Sequence, residues 1–168
     1  ARFLFGVVPS KIKVVIHPQS VIHSMVQYVD NSVVAQLGTP DMRGPIAYGL
    51  SWPERVISGA VALDFSTMAA LSFEAIDSEL NKKRFPGIDL AWDALSAPHG
   101  TTAVLNAANE VAVAAFLERR IRYDQIHAVN TETLNSVHPQ EPDSLDALLN
   151  LDLQSRQAAE SNVARMGV

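Results

Sequence analysis

The spacing of apolar positions changes character near Phe85-Pro86. Upstream of it, short β-branched runs alternate or fill both faces, as strands do. Lys11–Ile16 reads as a strand closed by His17-Pro18 and buried on both faces at its end. Val21–Val29 and Ser32–Leu37 read as two further strands joined by Asp30-Asn31. Asp and Asn tolerate positive φ, so this junction predicts a tight hairpin. Alternation puts Met25, Gln27 and Val29 on one face and Ser24, Val26 and Tyr28 on the other. Both faces are largely apolar and are expected to be covered, one by helices and one by a partner subunit. Gly38-Thr39-Pro40-Asp41 breaks the pattern, and Pro45–Ser51 reads as a short helix with Pro45 in its first turn. From Trp52 to Asn81 no long element is predicted. Ala70–Ile76 is strand-like, and the stretch reads as an arm lying over the first part.

Downstream the period becomes helical. Ile88, Leu90, Ala91 and Leu95 mark one helix, ended by Pro98-His99-Gly100. Thr101 or Thr102 caps a second helix running to about Glu118. Its stripes, Val104/Ala108/Val111/Ala115 and Leu105/Ala112/Phe116, cover most of its circumference, so it is central to a bundle. Ile126, Val129, Thr133 and Val137 stripe a third. After Pro139 and Pro142, Asp143 or Ser144 starts a short helix, and Asp152 caps a last one through Met166. The fold class is therefore α+β: the remnant of an α/β catalytic domain, a strand plus a β-hairpin, followed by a connecting arm and an all-helical bundle. The boundaries fall at 1–51, 52–84 and 85–168.

Composition narrows the functions open to the chain. Its net charge is −5, and Lys82-Lys83-Arg84 is the only basic run. It reads as a solvated loop, and nucleic acid is not an expected partner, because phosphate neutralisation needs a basic face. Absence of cysteine rules out disulfides and thiolate metal sites. No apolar stretch reaches the roughly 18 residues of a membrane span, and no signal-peptide pattern occurs. No membrane partner is expected, and a cytoplasmic location is. Ala1-Arg2-Phe3-Leu4-Phe5-Gly6 reads like the last turn of a helix stopped by Gly6, so the chain reads as cut from something longer.

The densest polar cluster in an apolar setting is His17-Pro18-Gln19-Ser20-Val21-Ile22-His23-Ser24. Such groups are costly to bury unless hydrogen-bonded, and strand ends collect ligand sites. Each histidine reads as a satisfied structural group, a substrate contact or a metal ligand. The cluster lacks Asp and Glu, and His17 and His23 are spaced six apart, which argues against metal. Pro40 and Pro45 bracket a rigid loop in which Met42 is a flexible apolar surface suited to a pocket, and Asp41 can pair locally with Arg43. Asn106, Asn109 and Glu110, at i, i+3 and i+4, form one polar patch on the apolar helix. On a central helix this patch reads as a buried structural network, since no second carboxylate stands near for acid–base work.

Three segments in order, HPQSVIHSMV (His17–Val26), PDMRGPIAYGLSWPERV (Pro40–Val56) and TTAVLNAANEVAVAAFL (Thr101–Leu117), resemble the 1-deoxy-D-xylulose 5-phosphate reductoisomerases. Leu63–Phe65 and Leu71–Ala75 also fit, while Gly44 stands where Thr is common. The resemblance implies an oxidoreductase of non-mevalonate isoprenoid biosynthesis that uses NADPH with Mn²⁺, Mg²⁺ or Co²⁺. It implies a homodimer formed through the sheet region, a phosphorylated sugar substrate, and a bacterial cytoplasmic or plastid-type location. By motif, Ser20, Pro40 and Met42 would line the substrate pocket, with His17 and His23 in support. The catalytic, metal-binding and cofactor-binding residues would lie upstream of this part, and no G-x-G-x-x-G occurs here. The chain alone is then expected to be inactive. Two other readings remain: a stand-alone helical-bundle interaction module, and a metal-dependent hydrolase using His17 and His23.

Overall fold

The computed structural model describes residues 1–68, 70–139 and 141–167. They form two compact units, Ser10–Ser78, and Ala1–Pro9 together with Glu79–Val168.

The first unit holds an antiparallel hairpin of β1 (Ile22–Gln27) and β2 (Val33–Leu37). Met25 pairs with Ala35 and Val26 with Val34, while an irregularity between Ile22 and Ser24 sets His23 out of register. The turn is built as the Asp-Asn pair predicts. Asn31 takes φ 67, and the Asp30 carboxylate accepts from the Ser32 amide (2.9 Å) and hydroxyl (2.6 Å). Met25 and Val26, on opposite faces, are both exposed among the described residues, where covered faces were expected.

The expected strand Lys11–Ile16 is not formed. Pro9–Lys11 is a 3₁₀ turn, Val14 and Val15 are exposed, and only Ile16 bridges, to Glu74 (N to O, 3.2 and 2.9 Å). A β-branched run becomes a strand only where a neighbouring edge supplies a ladder, and Ala70–Ile76 offers a single bridge rather than a strand. Helix α1 spans Arg2–Phe5 and is stopped by Gly6 at φ 61, as expected, and α2 spans Arg43–Ser51.

The second unit is helical: α3 (Glu79–Arg84), α4 (Gly87–Ser96), α5 (Thr101–Leu117), α6 (Tyr123–Ser136) and α7 (Leu145–Met166). The basic run, expected to be a loop, forms the last turn of α3, where cations favour the helix dipole. Helix α5 packs against α4, α6 and α7, as its broad apolar circumference predicts. Ala107, Ala108, Ala112 and Ala115 are fully buried, and such small side chains let neighbouring helices approach closely. The core joins Ala108, Val111, Ala112 and Ala115 to Ile121, Val129, Ala159 and Val163.

Two cap assignments change. Gly100, at φ 96, is the N-cap of α5, and Thr101 is its first residue, with its hydroxyl donating to Pro98 O (2.8 Å). Two helices were expected after Pro142, but α7 is one helix capped by Ser144, whose hydroxyl accepts from Ala147 N (3.2 Å). Asp152 does not start a new helix. It sits mid-helix and binds Arg156 one turn on (2.7 Å), and neither Gly nor Pro interrupts Leu145–Met166.

Candidate functional site

A cleft of about 1010 Å³ opens in the Ser10–Ser78 unit. Its walls are the hairpin end at His23 and Gln36–Leu37, the loop Gly38–Met42, the first turns of α2, and arm residues from Arg55 to Phe65. Its volume matches a small-molecule site. The loop is held at several points. Gly38 N donates to Val21 O (3.0 Å), which anchors it to the hairpin. Within it Asp41 accepts from Arg43 through the main-chain N (2.9 Å), Nε (2.9 Å) and Nη2 (2.6 Å). This fork holds the Asp41 carboxyl below the usual carboxylate range, the Arg43 side-chain bond being the main cause. Thr39 Oγ1 donates across to Val61 O (3.0 Å), tying the loop to the arm.

The far side of the cleft is cationic and aromatic. The Arg55 guanidinium lies 3.7 Å over the Tyr48 ring, and Trp52 meets the same ring edge-on at 5.4 Å. The Trp52–Pro53 bond is cis.

Of the residues singled out from sequence, Pro40, Met42 and His23 come together as lining of this cleft. Ser20 does not line it. It sits ahead of β1 with φ 50, its amide donating to His17 O (3.0 Å). His17 faces the arm: Nδ1 donates to Ser72 O (2.8 Å), its ring lies 5.0 Å from that of Phe73, and Nε2 is buried without a partner. The His23 side chain has no hydrogen-bond partner among the described residues. Tyr48, Arg55, Val61 and Phe65 also line the cleft and were not singled out; Tyr48 and Arg55 lie inside the family-like segment, the only signal that marked them.

The patch Asn106, Asn109 and Glu110 lies elsewhere, on α5, and is exposed rather than buried. Asn106 Nδ2 donates to Glu110 Oε1 (3.1 Å), Arg156 Nη2 to Glu110 Oε2 (2.6 Å), and Asn130 Nδ2 to Asn109 Oδ1 (3.2 Å). The patch thus links α5 to α7 and α6. The Arg156 bond, then that of Asn106, lowers the Glu110 pKa. The buried polar groups of the bundle are others: Asn130, Thr133, Ser155 and Asn162.

The residues present do not fit a metal or a dinucleotide. Among the described residues no three His, Asp or Glu are grouped to hold an ion. The sheet of the described residues is one antiparallel hairpin, without the parallel strand–helix unit that seats a dinucleotide. No helix of the described residues is long and apolar enough to cross a membrane.

The fold is that of an α+β chain whose open cleft is walled by a Pro-fixed loop, a hairpin end and arm residues. The chain is 55% identical over 98% of its length to the 1-deoxy-D-xylulose 5-phosphate reductoisomerase of Ralstonia pickettii (strain 12J), and 50% identical over 96% to that of Chlorobium phaeobacteroides (strain BS1). It spans about 40% of the length of these curated relatives. Its fold matches the 1-deoxy-D-xylulose 5-phosphate reductoisomerase from Zymomonas mobilis in complex with NADPH (TM-score 0.82, 41% identity, 96% of this chain and 42% of that one). It also matches a DOX-P reductoisomerase in complex with NADPH, fosmidomycin and magnesium (TM-score 0.84, 37% identity, 97% and 41%). The chain belongs to the DXP reductoisomerase C-terminal domain family, which matches residues 37–158.

Proposed function

We propose that this chain forms one wall of the substrate pocket in an NADPH- and metal-dependent reductoisomerase that converts 1-deoxy-D-xylulose 5-phosphate to 2-C-methyl-D-erythritol 4-phosphate. Residues 1–51 are then the end of the catalytic domain, 52–84 a connecting arm and 85–168 the C-terminal bundle. The observation that carries the reading is the cleft in which Pro40, Met42 and His23 meet, in a chain of this family. Pro40 and Met42 form the apolar wall against the sugar phosphate, Ser20, outside the lining of this cleft, would meet the substrate from the neighbouring His17–Ser20 loop, and His17 and His23 support them. The rest of the relatives' length supplies the metal site, the nicotinamide site and the chemistry, so the chain alone does not turn over. Exposed Met25 and Val26, one on each face of the hairpin, support homodimer formation through it.

The test is Met42→Ala in the full-length protein. Met42 is 68% exposed, so little packing is lost with its side chain. KM for the sugar phosphate is expected to rise while the melting temperature stays within a degree or so, since exposed substitutions shift stability by about 0.5 kcal/mol or less. A large loss of melting temperature with KM unchanged would remove Met42 from the pocket wall.

A further inference from the structure

We infer that the arm is a positioning device for the candidate pocket wall, gripping both of its loops through two points: the Val61 carbonyl and Ser72. The inference rests on the pocket-wall reading above. At the first point Thr39 Oγ1 donates to Val61 O (3.0 Å), the hydroxyl standing immediately before Pro40 in sequence. At the second point two residues of the His17–Ser20 loop bind Ser72 on all sides. Gln19 Oε1 accepts from Ser72 N (3.3 Å), Gln19 Nε2 donates to Ser72 Oγ (2.8 Å), and His17 Nδ1 donates to Ser72 O (2.8 Å). Gln19 in this way imitates a strand edge with one side chain, taking up both a main-chain donor and a hydroxyl.

The need for such a grip is visible at Ser20. Its φ of 50 lies in the left-handed region, which a serine keeps only where its surroundings over-determine it. The loop's own bond, Ser20 N to His17 O, is a single one, and the residue before Ser20 is the one held by Ser72. The loop of Pro40 and Met42 is stiffened internally by the Asp41–Arg43 fork, but a fork within the loop sets its shape and not its place. Its place is set by Gly38 on the hairpin and by Thr39 on the arm. Thr39 and Gln19 are thus positioning residues: neither needs to touch substrate to decide where Ser20, Pro40 and Met42 stand. This gives the arm, which carries no strand or long helix among its described residues, a role in binding rather than only in connection.

The experiment compares Thr39→Val, Thr39→Ser and Gln19→Glu in the full-length protein, with 1-deoxy-D-xylulose 5-phosphate, NADPH and magnesium, and with Met42→Ala alongside. Thr39→Val keeps the shape and removes the donor; Thr39→Ser restores it. Gln19→Glu removes the Nε2 donor and sets a carboxylate oxygen against Ala70 O, to which Nε2 donates (3.4 Å). Expected is a rise in KM of about three- to tenfold, the factor that one hydrogen bond is worth, with kcat within about twofold. Amide hydrogen exchange at Gly38–Arg43 should quicken by a like factor in Thr39→Val, and Thr39→Ser should return both readouts to wild type. If Met42→Ala raises KM while Thr39→Val and Gln19→Glu do not, the wall reading stands and the positioning role is overturned. If Met42→Ala leaves KM unchanged, the wall reading falls and hydrogen exchange alone decides: unchanged rates at Gly38–Arg43 in Thr39→Val overturn the role, and faster rates reversed by Thr39→Ser sustain it. Should Gln19→Glu fail to fold, Ser72→Ala removes the Gln19 Nε2–Ser72 Oγ hydrogen bond from the opposite side.

Discussion

Replacing Thr133 by Val changes one buried oxygen to a methyl group and strands a neighbour. Thr133 is 0% exposed on α6; its hydroxyl donates to Val129 O (2.8 Å) and accepts from Asn162 Nδ2 (3.1 Å) on α7. Val129 O keeps a helical partner, so the loss falls on the Asn162 amide, which is 6% exposed. The side-chain volumes are nearly equal, so no cavity term enters. A buried donor left without an acceptor costs about 1–3 kcal/mol. A central value of about 2 kcal/mol lowers Tm by about 4–8 °C in a chain of this size. Urea unfolding followed by far-UV circular dichroism reads the free energy directly. Adding Asn162→Leu to Thr133→Val should recover at least about 1 kcal/mol, because no buried group is then left unpaired, and Arg165, whose Nη2 donates to Asn162 Oδ1 (2.8 Å), is exposed to water. Two results would refute the reasoning: a Thr133→Val loss under about 0.5 kcal/mol, or strict additivity of the two substitutions.

Other substitutions test separate parts of the structure. A Cβ on Gly100 would stand 3.0 Å from Leu151 Cδ2 and 3.2 Å from Pro139 Cβ and Pro142 Cδ, at φ 96. Gly100→Ala should therefore cost about 2–4 kcal/mol by thermal unfolding, from backbone strain plus overpacking. Arg119 holds φ 62 just past α5 and is exposed, so Arg119→Gly should raise stability by about 0.5–1 kcal/mol in the same assay. The Glu110 pKa is lowered below 4.5 by Arg156 and Asn106. Its contribution is therefore complete above that value and is lost as pH falls through the lowered folded-state value. In urea titrations across acid pH, wild type should lead Glu110→Gln at neutrality and converge with it in acid; a gap unchanged with pH would contradict the ion pair.

The helical half was legible because its determinants are local and repeated. The apolar circumference of α5 has one interpretation, a helix with neighbours on several sides, and α4, α6 and α7 supply them. The hairpin was legible for the same reason: Asp30-Asn31 encodes its own turn. The candidate loops were marked by residue type and by order along the chain, since Pro40 and Pro45 restrict the backbone wherever they stand.

What only the tertiary structure decided depends on partners far away in sequence. Lys11–Ile16 has strand composition, yet lacks a ladder beyond one bridge at Ile16. Asp152 has capping chemistry, yet Arg156 satisfies it inside a continuous α7. The central place of α5 predicts a buried polar patch on it, but burial belongs to a face and not to a helix, and the buried amides of α6 and α7 are Asn130 and Asn162. The same distinction separates the two halves of the polar cluster at residues 17–24. Sequence marks it as chemistry in an apolar setting; distance then sends His17 and Gln19 to Ser72 on the arm and leaves His23 at the cleft, because a side chain's role follows from what the fold brings within hydrogen-bond reach.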